Sequence, residues 1–198
     1  RPANRVETFY SRKAILINQI ENNSDGIARF RSNINSIYNE LVSLKPNKSD
    51  FINDFIGNTQ YSNSTKKKSL IRYILGRFEG YFYPEHVVER PIDDSISIEH
   101  ILPQRPEEHW GLSSEEIQPY VHQIGNLVLV GQGFNSSARN FALEVKLEEL
   151  GTTSVRTTAD LISMISGNEN PVWSENEIYQ RSNSIAELAY DELWSRGE

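Results

Sequence analysis

A carboxylate and a histidine stand side by side near the middle of this chain. Glu99 and His100 lie within residues 97–104, which read SIEHILPQ. A neutral histidine can take a proton from an attacking water molecule. Carboxylate oxygens are the ligands that hard divalent cations prefer, and such cations neutralise charge on a phosphate. The pair therefore suits metal-assisted hydrolysis of a phosphodiester.

A second motif lies downstream and supplies two asparagines. Residues 124–130 read IGNLVLV, which contains Asn126, and Asn135 opens the next helical pattern. Asn135 offers a further oxygen ligand for a metal, although it could instead be only the N-cap of that helix. Asn126 follows a glycine at the start of a strand, where an asparagine often bonds to nearby backbone. The order of strand, loop, strand and helix, with these polar residues at the junctions, predicts a one-metal phosphodiesterase.

Two short strands are predicted to position these residues. Apolar side chains alternate over 95–102, and 127–130 is a continuous apolar run. Adjacent residues of a strand point to opposite faces, so Glu99 and His100 can share one site only where the strand ends. Pro103 is consistent with an end at that point.

The remainder of the chain has helical periodicity. Apolar residues recur at helical spacing through the first 80 residues, over 135–150 and 160–165, and in a long segment that Ser174 caps. We predict a mainly α fold, with a helical domain enclosing a small two-stranded antiparallel element. Residues 1–60 are predicted to be an N-terminal helical segment, and residues 61–198 the functional domain with its flanking helices.

Composition limits the classes of function. The chain has 198 residues, a formal net charge of −7 and no cysteine, which excludes disulfides and thiolate zinc sites and fits a reducing cytoplasm. No run approaches the roughly 18 apolar residues of a membrane span, so no membrane partner is expected. The first residue is Arg1, and no signal-peptide core follows it. We therefore expect a fragment of a longer protein.

A net negative chain can bind nucleic acid only through a local basic patch. The basic residues proposed for contact with DNA lie on one predicted helix and beside the predicted site, where Asn140 adds a polar contact. They are Lys66, Lys67, Lys68, Arg72, Arg77 and Arg139. Binding through such a patch would weaken steeply with salt. A lysine triplet at this place is more often a solvated first turn of a helix.

These motifs resemble those of a known superfamily. Residues 99–104 resemble the first-strand motif of the HNH, or His-Me finger, nucleases, in which an acidic residue precedes His-Ile-x-Pro. Residues 124–129 resemble the Gly-Asn-Leu signature of the second strand. Asn135, Asn140, Phe141 and Lys146 are similar to the ending of the motif on the following helix. Within the superfamily, the chain resembles the C-terminal nuclease domain of GmrSD-type modification-dependent restriction proteins.

The resemblance implies that the small two-stranded antiparallel element is a ββα-metal finger, and it implies a role for each matched residue. His100 would be the general base, and Glu99 and Asn135 would hold one Mg²⁺ or Mn²⁺ ion. Asn126 would brace the catalytic loop, and Lys146 would contact a phosphate. The implied substrate is DNA that could carry modified bases. The implied partner is an N-terminal nucleotide-hydrolysing domain of the full-length protein, or a partner subunit that carries one.

Alternative functions remain open from the sequence. The chain could be a catalytically silent domain, built on a decayed HNH finger, that binds nucleic acid or another protein. A histidine-rich zinc hydrolase is disfavoured, since the chain has no His-Glu-x-x-His motif. His86, His109 and His122 fit no metal-binding spacing, and we expect them at the surface or at an interface.

Overall fold

The structure is a computed structural model that describes residues 2–20, 24–85, 96–131 and 140–194. It divides into two compact units, Arg1–Asn47 and Lys48–Glu198. The first unit contains helices α1 (Pro2–Asn18) and α2 (Ser24–Leu44). An ion pair of 2.7 Å joins Lys13 Nζ of α1 to Glu40 Oε2 of α2.

The second unit contains the remaining helices and the sheet. Its regular elements are, in chain order, α3 (Lys48–Asn58), α4 (Thr65–Phe82), β1 (Ser97–His100), α5 (Ser114–Ile117), β2 (Leu127–Val130), α6 (Leu143–Gly151), α7 (Arg156–Ser166) and α8 (Glu175–Leu188). Short 3₁₀ turns cover Glu108–Trp110 and Ile124–Asn126, and a π-helical turn, Ala189–Leu193, follows α8. The prediction of a mainly helical fold with a small two-stranded sheet is confirmed.

The two strands pair antiparallel, with Ser97 opposite Val130 and His100 opposite Leu127. Strand β2 is buried on both faces, which explains its unbroken apolar sequence. Val128 and Val130 belong to an apolar core with residues of α6, α7 and α8, whereas Leu127 and Leu129 belong to a second core with residues of α4. The sheet therefore lies between two helical layers. Glu99 and His100 are the last two residues of β1.

A buried carboxylate connects two of these helices. Glu79 of α4 accepts hydrogen bonds of 2.9 Å from the backbone N–H groups of Arg156 and Thr157, and one of 2.6 Å from the Thr157 hydroxyl. Val155, at the N-cap position of α7, has no side chain that could cap the helix. Glu79 satisfies those N–H groups instead, and its negative charge is favourable at a helix N-terminus.

Helix α6 begins later than the helical pattern over 135–150 predicts. Asn140 lies in a 3₁₀ turn, and the helix starts at Leu143 after Ala142. The indole N–H of Trp110 donates a 3.1 Å hydrogen bond to the carbonyl oxygen of Phe141, which supports the non-helical conformation there. The predicted segment before Asn140 lies outside the described residues. Among the described helices, none is long and apolar enough to cross a membrane.

Candidate active site

A cleft of about 350 Å³ opens where β1 ends. The side chains that line it come from β1, from the loop after it, and from residues distant in sequence. They are Tyr61, Ile98, Glu99, His100, Pro103, Gln104, Arg105, Asn140 and Lys146. Glu99 and His100 both line this cleft, because β1 ends at His100 and the alternation of side chains ends with it.

His100 is buried in the wall of the cleft, with 6% of its surface exposed. Its Nδ1 lies 3.3 Å from the amide nitrogen of Gln104. Its Nε2 is buried and has no hydrogen-bond partner among the described residues. Burial, together with the nearby charges of His122 and Lys146, lowers the pKa of His100 to about 3. The ring is therefore neutral at pH 7 and keeps one nitrogen lone pair.

Lys146 brings a cation to the same cleft. It lies on α6 with only 1% of its surface exposed, which is rare for lysine. Lys146 lines the cleft, and an ammonium group in that position attracts an anionic ligand, such as a phosphate.

Asn126 is fully buried and uses every hydrogen-bonding position of its side chain. Its oxygen accepts bonds from the backbone N–H of Leu102, at 2.8 Å, and from the indole N–H of Trp173, at 3.0 Å. Its amide nitrogen donates to the carbonyl oxygens of Leu102, at 2.9 Å, and Val121, at 2.8 Å. Asn126 thus connects the loop after β1 to the turn before β2.

The turn that carries Asn126 packs closely against α8. A Cβ atom on Gly125 would lie 2.0 Å from the carbonyl oxygen of Ile178, so only glycine fits there. The hydroxyl of Ser182 accepts a 3.0 Å bond from the Gly125 N–H. Arg181 donates to the carbonyl oxygens of Gly125, at 2.6 Å, and Leu127, at 2.8 Å. Burial lowers the pKa of Arg181 to about 10, so the guanidinium stays charged at pH 7.

The structure adds residues that sequence reasoning missed. The Tyr61 ring meets His100 edge-on, with 4.7 Å between ring centroids, and stacks on His122 at 6.0 Å. Lys68 Nζ lies 5.7 Å from the Tyr61 ring centroid. Gln104 lies within the recognised motif, but the sequence assigned it no role. Tyr61 and His122 lie in loops whose sequence gave no sign of the site.

The predicted basic patch is divided between two faces of α4. Each residue advances a helix by about 100°, so Lys68 and Arg77 lie about 180° apart. Lys68 and Arg72 are half-buried on the Tyr61 side, whereas Lys66 and Arg77 are exposed. Lys67 donates a 2.5 Å hydrogen bond to the carbonyl oxygen of Asn58. Arg139, like the predicted metal ligand Asn135, lies outside the described residues.

The side chains of the cleft can be compared with the ligands that a metal ion requires. Within the described ranges, no group of three or more His, Cys, Asp or Glu side chains is placed to hold one. Glu99 does present a carboxylate to the cleft. A cation such as Mg²⁺ keeps several water ligands and needs only one or two protein carboxylates, so this donor set fits such an ion.

The fold and the cleft together define a class of protein. It is a helical domain in which the end of a short strand presents a carboxylate and a neutral histidine to a cleft with a buried cation. That set of groups suits hydrolysis of an anionic substrate.

Comparison with protein families identifies the chain more closely. Residues 45–188 match the family described as GmrSD restriction endonucleases, C-terminal domain, and the chain belongs to that family. No curated protein and no solved structure matches it. Membership indicates a nuclease domain of a restriction protein, and such a domain implies DNA as its substrate.

Proposed function

We propose that this domain is a metal-dependent DNA endonuclease of the HNH, or His-Me finger, type. The observation that carries the proposal is the placement of Glu99 and His100 in one cleft with the buried Lys146. Hydrolysis of a phosphodiester needs a base for the attacking water and positive charge beside the non-bridging oxygens. The described side chains of this cleft include candidates for both tasks.

His100 is the proposed general base. The ring is neutral at pH 7, so it can accept a proton without first losing one. The Gln104 amide donates to Nδ1 and thus occupies the lone pair on the cleft side. An attacking water would replace that amide hydrogen at Nδ1 and donate its proton there.

Glu99 is the proposed ligand for Mg²⁺ or Mn²⁺, together with Asn135 from outside the described residues. The bound ion would neutralise charge on the phosphate and stabilise the leaving oxygen. The side chain of Glu99 is one methylene longer than that of an aspartate, so its carboxylate could also bind the ion through a water molecule. Glu99 sits beside His100 in sequence, so the ligand and the base are fixed by the same strand end.

Lys146 is the proposed phosphate contact. Its burial excludes water, and an ion pair formed in such a place is less screened than one on the surface. Arg105 also lines the cleft and adds a second cation on the side of the loop after β1. Lys68, Arg72, Arg139 and Asn140 are proposed to extend this contact along the DNA backbone. Asn126 is assigned the bracing role and not a chemical one.

The wider setting is proposed from the family likeness. The nuclease domain is assigned to residues 61–198, while the compact unit begins at Lys48 and the family match at residue 45. We propose that a nucleotide-hydrolysing domain, in the full-length protein or in a partner subunit, controls cutting of DNA that carries modified bases. The proposed location is the cytoplasm.

One observation favours the second candidate, a catalytically silent domain that binds DNA or another protein. General-base catalysis is most efficient when the pKa of the base lies near the working pH. Burial and neighbouring charges lower the pKa of His100 to about 3, so the proton it accepts is held weakly. A silent domain would keep the fold and the basic residues and would lack only the DNA-cleaving activity.

Nicking of supercoiled plasmid by the purified chain separates the two candidates. We expect cutting in Mg²⁺ or Mn²⁺ and none in excess chelator. His100→Ala should lower the single-turnover rate by about 10²–10⁴, the usual contribution of a general base. His109→Ala, at a partly exposed histidine paired with Glu107, is the matched control and should cut at the wild-type rate. An alanine variant at His100 that cuts normally would refute the assignment, and DNA binding without cutting in either metal would favour the silent domain.

A further inference from the structure

Two neighbouring histidine rings beside the cleft each have a buried nitrogen. His100 Nε2 and His122 Nδ1 are both buried and have no hydrogen-bond partner among the described residues. The two rings lie 5.6 Å apart between centroids and are nearly perpendicular, at 80°. Buried polar atoms without partners are rare in folded proteins, so two of them on neighbouring rings require an explanation.

The contact at the other nitrogen of His100 favours one tautomer of the ring. The Gln104 amide donates to Nδ1, which must then carry the lone pair. A neutral imidazole has one N–H and one lone pair, so the hydrogen lies on Nε2. The buried Nε2–H is therefore a donor, and it would cost about 1–3 kcal/mol if it stayed without an acceptor.

We propose that His122 is a positioning residue whose Nδ1 accepts the hydrogen on His100 Nε2. The link forms after a small rotation of either ring or through one bound water, and both routes require the same tautomer. The link keeps Nδ1 of His100 unprotonated, so that its lone pair is available on the side of the cleft. The catalytic meaning of this link rests on the proposed function, since it matters for rate only if His100 is the base.

The surroundings of His122 hold its ring in place for this purpose. Tyr61 stacks on it, at an interplanar angle of 21°, and the Tyr61 N–H donates a 2.8 Å bond to the carbonyl oxygen of His122. Asn126 bonds to Leu102, two residues after His100, and to Val121, one residue before His122. A single buried side chain thus sets the separation of the two histidines.

The test uses two substitutions at His122 that remove opposite properties of the side chain. His122→Phe keeps a ring that can stack on Tyr61 and removes the acceptor. His122→Asn loses the ring and keeps an acceptor oxygen close to the position of Nδ1. Long-range ¹H–¹⁵N spectra report the tautomer of His100 without any DNA or metal, and the chain has only four histidines to assign.

We expect the Nε2–H tautomer of His100 in the wild type and in His122→Asn, and a shift toward Nδ1–H in His122→Phe. In plasmid nicking, His122→Phe should lose about 10–100-fold in kcat with KM little changed, the usual effect of removing a partner that orients a histidine. His122→Asn should recover most of that loss.

An Nδ1–H tautomer in the wild type would overturn the proposal, as would an unchanged tautomer in His122→Phe with a wild-type melting temperature. If the tautomers follow the expected pattern and the wild type still cuts no DNA, the pairing stands and the proposed function fails. The two ideas can therefore be refuted separately.

Discussion

Asn126 and His100 are both buried polar residues at the ends of the paired strands, but their surroundings differ. Asn126 makes four hydrogen bonds with the protein, to Leu102 twice, to Val121 and to Trp173. His100 makes one side-chain hydrogen bond, to Gln104, and its second ring nitrogen has no partner among the described residues. The two side chains lie in one small region and differ chiefly in how fully their bonding capacity is used.

The difference separates a residue that builds the fold from one that can act on a substrate. A fully satisfied buried network fixes one conformation and has no capacity left for a ligand. His100 has only one side-chain hydrogen bond, at the nitrogen proposed to meet the attacking water, and that single bond can be exchanged for one to a ligand. On this argument the first two motifs of the chain, although equally recognisable in sequence, have opposite roles.

The largest expected effect is the loss of the Asn126 bonds. Asn126→Ala leaves four buried backbone and indole groups without this partner, and each such group costs about 1–3 kcal/mol. We expect the free energy of unfolding to fall by about 4 kcal/mol, measured by urea denaturation. Asn140→Ala, at a half-buried asparagine of the cleft, is the control and should cost less than about 1 kcal/mol. Equal losses at the two positions would contradict the bracing role.

The second effect is a dependence of stability on pH that originates at His100. Its folded pKa of about 3 lies below the ordinary value of 6.5, so the unfolded chain binds more protons between these values. Stability therefore rises with pH across that window, by about 3 kcal/mol from pH 4 to pH 7. Burial also lowers the pKa of His122, which acts in the same direction.

Urea denaturation of the wild type and of His100→Gln at both pH values measures this effect. The variant should show a flatter dependence, because glutamine does not titrate. Parallel pH curves for the two proteins would mean that folding does not lower the pKa of His100, and would remove the contrast with Asn126.

The third effect concerns Glu99, whose loss should weaken metal-dependent cleavage and leave the stability of the fold almost unchanged. Glu99→Ala should lower the nicking rate by about 100-fold at a fixed Mg²⁺ concentration, since a catalytic cation is worth several kcal/mol. A higher metal concentration should recover part of the loss. Thermal melts without metal should change little, because the side chain is only partly buried at the cleft. A rate that is unchanged at every metal concentration would remove Glu99 from the site.

Local patterns in the sequence predicted the strands and helices because those depend on spacing within a segment. Leu127–Val130 reads as a strand from its own residues, and the helix caps and glycine turns are equally local. Tyr61 and His122 could not be found this way. Their place beside His100 depends on which loop packs over the end of β1, and that is decided by Asn126 and by the helices around the sheet.

The predicted basic patch was likewise read from a run in sequence, and such a run carries no information about the faces of a helix. The run Lys66–Lys68 is one feature in sequence, but consecutive residues on a helix point about 100° apart. Charge composition alone therefore overstates how many of these cations can reach one strand of DNA.

The smallest expected effect distinguishes the two faces of α4 by their salt dependence. On duplex DNA, each phosphate neutralised by the protein contributes about −0.9 to the slope of log affinity against log salt. Lys68 lies beside Tyr61 on the side of the cleft, whereas Lys66 is exposed on the opposite side of the helix. Lys68→Gln should therefore reduce the magnitude of the slope by about 0.9, and Lys66→Gln should leave it almost unchanged. Fluorescence anisotropy of a labelled duplex, titrated in the His100→Ala background to prevent cutting, measures both slopes. Equal changes for the two lysines would show that DNA approaches along the exposed face of α4, and the cleft around His100 would then lose its place as the DNA contact.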